Sequence, residues 1–464
     1  MADNSAAGFR CVAGDAGEVW AGGFGRNLLV DGHCVTKRMD RLRRLAQVRL
    51  LDAGAIVLIF LFLYKWAVFL PARWSDFDFN GFYVCGRTLL DGKNPYTTSV
   101  EALSHAMGFR FYAYPPTAGY PPPFLWMFAA LAALPPRAAF AIWVAVELIS
   151  LAAILWLTRW LLRGRLSSRG WLFVVALTIT SQCVLYHLLF SQAQLLLAAL
   201  VLAGYAAQRA GRHGWACIAV ATAGILKFYP FVLLPWFVWS GNGGVRGRWR
   251  RLLGSTAFIV AAVALTGPGL WRDFFRYGLT AALEGAVGRT FHFSLPALVI
   301  NLGYLHYNLH PPEEAAQWWQ TVGALVSGGV LAAGYAVCGS SRRDPEAQFC
   351  LLCAVMLMGT LSVQGNYFVF LVFPLTVVAA RIAARLSVAG VISFILLLLA
   401  FNCLHPPDST IFGAHKVLYL LASDVPLYGL FALAAFFWAE LRGACARYPI
   451  DNEGLSPRAP VGDD

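Results

Sequence analysis

Two carboxylates, Asp76 and Asp78, stand at the head of Asp78-Phe79-Asn80-Gly81-Phe82-Tyr83, just beyond a long apolar run. A carboxylate at a membrane surface can take a proton from a hydroxyl or bind a metal. Ser75 and Asp78 also have the spacing of a capping box, in which an acid serves only the helix N-terminus. Lys227 separates two apolar stretches in Gly224-Ile225-Leu226-Lys227-Phe228-Tyr229-Pro230, and Arg289 and His292 share an aromatic run, Arg289-Thr290-Phe291-His292-Phe293. An ammonium or guanidinium so placed can meet a lipid phosphate, although a lysine at that depth also snorkels without any ligand. Gln192 and Gln194, in Ser191-Gln192-Ala193-Gln194, can hold a hydroxylated ligand or simply satisfy helix ends. Tyr120-Pro121-Pro122 fixes an extended backbone that must turn sharply into the next apolar segment, a structural signal by itself. None of the nine histidines has the HExxH spacing of a metal site, so no metal-ligating residue is assigned.

The elements that position these groups follow from composition. Of 464 residues, 59% are hydrophobic and only 13% are charged, with a mean hydropathy of +0.61. So little polar surface cannot wrap a soluble core, and the continuous Leu/Ala/Val/Phe runs exclude a transmembrane barrel. The reading is an all-α polytopic membrane protein. Apolar runs at 50–70, 138–161, 170–189, 192–208, 214–226, 228–240, 252–268, 316–339, 346–363, 366–383, 387–403 and 425–441 suggest about twelve transmembrane helices. Residues 123–134 would reach only about 18 Å as a helix, which makes them re-entrant or interfacial. The ten cysteines show no disulfide framework, and Cys350 and Cys353 read as small buried hydrophobes.

The net charge of +12 points to topology here, and nucleic acid is not an expected partner. With both termini cytoplasmic, basic clusters such as Arg41-Leu42-Arg43-Arg44, Arg163 to Arg169, Arg246 to Arg251, Arg342-Arg343 and Arg381 to Arg385 all fall inside. Residues 1–49 form a cytoplasmic segment expected to be poorly ordered, within which Met39 is a second candidate start. A membrane domain spans 50–441, and 442–464 form a cytoplasmic tail. The longer loops, 71–137, 269–315 and 404–424, then lie outside, with Asp78, Tyr120, Gln192, Lys227, Arg289 and Asn366 facing one cavity. From Phe79 to Leu90 the apolar positions share a helical face, which suggests a short amphipathic helix on the outer leaflet, stopped by Asp91-Gly92. A transporter or lipid flippase is the alternative class, but its marks, coupled charges within spans and an internal repeat, are not evident; Glu147 is the main charge inside a span.

In their order, Asp78-Phe79…Phe82-Tyr83, Leu90-Asp91-Gly92-Lys93-Asn94-Pro95-Tyr96, Tyr120-Pro121-Pro122, Ser191-Gln192…Gln194 and Lys227…Pro230 resemble glycosyltransferase family 87, from about Leu50 to Leu441. The resemblance implies a GT-C membrane fold and an inverting hexosyl transfer on the outer face of the bacterial cytoplasmic membrane. The donor would be a polyprenyl-phosphate sugar, mannose in that family, and the acceptor a hydroxyl of a lipid or glycan. It assigns the base to Asp78, with Asp76 as understudy, and carries Gln192 over cleanly as a binding residue; Tyr120, Lys227, Arg289, His292 and Asn366 complete the candidate substrate-binding set. No cofactor is implied beyond the lipid-linked donor. Two departures stand out. The usual Gly-Gln-x-Asn is here Ser191-Gln192-Ala193-Gln194, and Gly365 and Asn366 stand where mannosyltransferase relatives have a histidine pair.

Overall fold

The structure is a computed structural model describing residues 49, 52–69, 78–109, 118–241, 243–279, 292–308, 311–340, 344–385, 387–405, 409 and 415–443. Asp76 and Arg289 lie outside the described residues, as do 1–48 and most of the C-terminal tail. Two units are delimited, 1–55 and 56–464, and the groups treated below belong to the second.

Among the described residues every regular element is helical. In chain order they are α1 (Asp52–Phe69), α2 (Asp78–Leu90), α3 (Val100–Ala106), α4 (Pro122–Ala132), α5 (Pro136–Leu161), α6 (Ser168–Thr180), α7 (Gln182–Phe190), α8 (Gln194–Arg209), α9 (His213–Leu226) and α10 (Leu234–Ser240). Then come α11 (Gly244–Thr266), α12 (Pro268–Asp273), α13 (Leu295–Leu305), α14 (Glu313–Ser340), α15 (Pro345–Gly359), α16 (Val372–Arg385), α17 (Val388–Asn402), α18 (Lys416–Ser423) and α19 (Val425–Arg442). Short 3₁₀ segments, Tyr229–Leu233 and Gly365–Leu371, lead into α10 and α16.

Local sequence sets many of these boundaries. Prolines occupy first-turn positions of α4, α5 and α19, where a missing N–H costs nothing. The Ser167, Ser294, Asp344 and Ser387 side chains accept from backbone N–H groups at the starts of α6, α13, α15 and α17. Ser181 both ends α6 and caps α7, and the two helices meet there with a bend of 43°.

Six helices among the described residues are long and apolar enough to cross a membrane, or up to seven if the bent α6–α7 pair is one span. This makes the chain a polytopic all-α membrane protein. Helices occur at each of the twelve expected positions, but α9, α15 and α17 have only 14, 15 and 15 residues, and 228–240 is a 3₁₀ turn joined to α10. Hydropathy alone cannot see where a proline or an extended residue breaks a run. The segment expected to fall short of a crossing is α4, of 11 residues.

Burial separates core from periphery. The span Gly365–Arg385 is 72% buried, whereas α1 and α11 are 11% buried and expose Ile56, Phe60, Leu61, Leu253 and Val260. Exposed apolar surface on that scale is matched by lipid chains. Cys350 and Cys353 are indeed core residues.

The amphipathic reading of 79–90 is corrected. Helix α2 buries both of its faces, including Asn80, Gly81 and Thr88, and packs against α4 instead of resting on a leaflet. Gly86 makes this possible, since a Cβ there would stand 2.5 Å from the Phe128 carbonyl group.

Basic groups from separate segments meet at one end of the bundle. Arg381 donates to Asp344 (2.7 Å), Glu346 (3.0 Å) and Glu440 (2.8 Å), Arg165 to Glu346 (2.7 Å) and Arg385 to Glu440 (2.7 Å). The segment after α5, the start of α15 and the end of α16, expected to share a face, therefore do share one.

Candidate functional site

The site is assembled around Lys227. Helix α9 ends at Leu226, and Lys227 adopts an extended backbone (φ −159°, ψ 123°) before the 3₁₀ turn. Gly224 permits this fold-back, because any Cβ would lie 2.5 Å from the Phe231 ring. The Lys227 ammonium donates to the Tyr120 hydroxyl at 3.2 Å and also reaches the Tyr367 hydroxyl. It stands 4.8 Å from the Tyr120 ring centroid and 4.7 Å from that of Tyr367. Cation–π contacts of this kind contribute about 0.5–2 kcal/mol each. Burial works against the charge, but the two phenolic oxygens outweigh it and raise the lysine above its ordinary pKa. A fixed ammonium with protons to donate is a receptor for an anion.

Tyr120 is itself held from several sides. Its hydroxyl donates to Gln192 Oε1 at 2.8 Å, and its carbonyl accepts from Tyr96 Oη at 2.7 Å. Its ring stacks on Phe124 with centroids 4.5 Å apart and meets the edge of Phe82 at 4.7 Å. Asn94 caps the Tyr96 N–H at 3.0 Å and reaches Asp273 at 2.7 Å, so the Asn94-Pro95-Tyr96 turn braces Tyr120 from beneath.

Gln192 follows Ser191, which ends α7 in the left-handed region (φ 52°). The turn is tied by Gln192 N to His187 O at 3.3 Å and by Trp143 Nε1 to Ser191 O at 3.0 Å. Gln194 Nε2 shares Gln192 Oε1 at 3.3 Å. Beneath the turn, His187 Nε2 pairs with Glu147 Oε2, both side chains buried. The acid noted within α5 is therefore hydrogen-bonded to a histidine on α7.

Asp78 opens α2, whose Phe79 and Phe82 rings lock into Phe128, Phe140, Phe124 and Tyr120. The carboxyl is partly buried and lies within electrostatic reach of both Lys227 and Tyr120. Desolvation raises it from 3.8 to about 7, with Lys227 pulling the other way. A carboxylate poised near neutrality is suited to accept a proton.

Of the expected site residues, Tyr120, Gln192 and Lys227 form one hydrogen-bonded chain with Asp78 beside it. His292 is buried and pairs with Ser362 at 2.7 Å, next to the Phe293 N to Val363 O bond. Asn366, 1% exposed, adjoins Tyr367, and neither of its amide atoms has a partner among the described residues. Tyr367 and His187 were not picked out in the sequence. Tyr367 directly follows Gly365-Asn366, already marked as a departure, but nothing in the primary order says its ring covers Lys227.

A family model described as glycosyltransferase family 87 matches residues 118–364, more than half of the chain. The chain belongs to glycosyltransferase family 87. The match contains Tyr120, Gln192, Lys227, Arg289 and His292, whereas Asp78 and Asn366 lie beyond its two ends. As a member of family 87 the protein is a membrane glycosyltransferase, using a sugar donor and an acceptor. No curated protein matches the chain.

Proposed function

We propose that this family 87 enzyme moves a hexose, mannose by the family's pattern, from a polyprenyl-phosphate sugar to a lipid or glycan hydroxyl on the outer face of the bacterial cytoplasmic membrane. The observation that carries the reading is the Lys227 ammonium, held by Tyr120 and Tyr367, beside a carboxyl raised to about 7.

In this mechanism ionised Asp78 takes the proton of the acceptor hydroxyl. The acceptor oxygen attacks the anomeric carbon from the face opposite the phosphate, and the bond from that carbon to the phosphate oxygen breaks, inverting the centre. The lipid phosphate leaves with the bonding electrons and its charge is met by Lys227, with Arg289 as a second cation. Tyr120 and Gln192 hold Lys227 in register, and Asn366 and His292 bond sugar hydroxyls. Asp76 is the reserve carboxylate. The proposed catalytic domain is the membrane segment 50–441 in a GT-C-type arrangement, with the shorter apolar helices completing about twelve crossings and both termini cytoplasmic.

The test is to incubate purified protein with labelled polyprenyl-phosphate mannose, other polyprenyl-phosphate hexoses and nucleotide sugars, together with a lipid extract. Label should pass to lipid or glycan from a polyprenyl-phosphate donor. Transfer from a nucleotide sugar alone would overturn the donor assignment.

A further inference from the structure

The end of α9 remote from Lys227 opens onto a cavity of about 700 Å³ between the start of α9 and one face of α11. Fourteen residues of α9 separate the two ends by about 21 Å. The α11 wall is formed by Gly247, Arg250, Arg251 and Gly254, spaced as one stripe of a helix, and the α9 side brings Arg212 and Trp215. Among the described residues no carboxylate lines the cavity.

These groups divide the work of a receptor. Arg251 is 8% exposed and anchored, donating to Val238 O at 2.9 Å and Gly241 O at 3.1 Å. Arg212 and Arg250 are exposed, and no carboxylate among the described residues bonds either one. Gly254 faces open space, with nothing within 4 Å of an added Cβ. A glycine inside a helix costs about 0.5–1 kcal/mol relative to alanine, so a helix that carries one on this wall loses stability while leaving the space open. Trp215 is 71% exposed at the rim, and Trp249 and Leu253 are also exposed on α11. Indole rings favour the headgroup level of a bilayer, with apolar neighbours suited to acyl chains.

We infer that this cavity binds the phosphate headgroup of an anionic phospholipid, with Arg212 and Arg250 pairing the phosphate and Trp215 covering the glycerol region. Guanidinium groups match phosphate oxygens through paired hydrogen bonds. The apolar rim selects a lipid over a soluble phosphate. The site is separate from the transfer site at Lys227.

Full-length protein in detergent micelles, stripped of lipid and titrated with phosphatidylglycerol, phosphatidylcholine or inorganic phosphate while bound adducts are counted by native mass spectrometry, tests the proposal. Phosphatidylglycerol should bind at least about tenfold more tightly than phosphatidylcholine, a difference of about 1.4 kcal/mol. The Arg212→Gln, Arg250→Gln double variant should lose that preference. Gly254→Leu should block the adduct by filling the cavity while leaving the thermal unfolding midpoint unchanged or raised, which distinguishes occlusion from misfolding. Equal binding of the two lipids, an unaltered preference in both variants, or a single inorganic-phosphate adduct as tight as the lipid would each overturn it.

Discussion

Replacing Asp78 by asparagine should move activity and stability in opposite directions. The side chain keeps its size and stays in the first turn of α2, losing only its charge there, so the helix itself should lose about 1 kcal/mol or less. The rise of the Asp78 carboxyl from 3.8 to about 7 means that the folded protein resists its ionisation. At about 1.4 kcal/mol for each pH unit, that resistance amounts to about 4 kcal/mol, an upper bound because Asp78 is only partly buried. The sign follows from linkage. With the folded value above the unfolded one, the contribution of Asp78 to stability is fully present below about pH 4 and is lost as pH rises through about 7. Asparagine never ionises, so Asp78→Asn should unfold at a higher temperature than the parent above about pH 8 and show no difference near pH 4. The transfer rate should fall by about 10²–10⁴, the usual cost of losing a general base, and the parent's rate should climb with an apparent pKa near 7. Initial rates with a labelled polyprenyl-phosphate donor across pH, beside thermal unfolding in detergent, measure both effects. A variant that turns over at the parent rate, or a parent profile that is flat through pH 7, refutes the assignment of Asp78.

The remaining predictions concern the cation, the buried pair and the ion cluster. Lys227→Ala should lose at least about tenfold more transfer activity than Lys227→Arg, because arginine retains the charge; equal rates in competing assays would mean a snorkelling lysine. Tyr120→Phe removes the hydroxyl shared by Lys227 and Gln192 but keeps the ring, so KM for the donor should rise severalfold in steady-state kinetics while the fold survives. His187→Phe leaves the Glu147 carboxylate buried without its partner and should destabilise the protein by about 3–5 kcal/mol, whereas Glu147→Gln should cost less, as compared by denaturant unfolding. Arg381→Ala strips three carboxylates of a shared guanidinium and should cost a similar amount, about 3–5 kcal/mol, with much of the loss recovered when Glu346→Gln is added.

Composition, apolar run length and the motif order were enough to identify an all-helical membrane protein of family 87 and to select Tyr120, Gln192 and Lys227. Membrane solvent imposes long apolar runs, and the proposed phosphate-bearing donor would call for cations and amides, so both leave marks in the linear order. The short helix α4, bracketed by Pro121-Pro122 and Pro135-Pro136, was legible for the same reason: proline acts on its own neighbours. What depends on distant segments was not legible. The position of Tyr367 over Lys227, the Glu147–His187 pair and the burial of both faces of α2 arise from residues far apart in the chain. The raised carboxyl of Asp78 belongs to the same group. An aspartate's pKa is decided by how much water and how much positive charge surround it, and only the packing of α2 and the break after α9 supplies those surroundings.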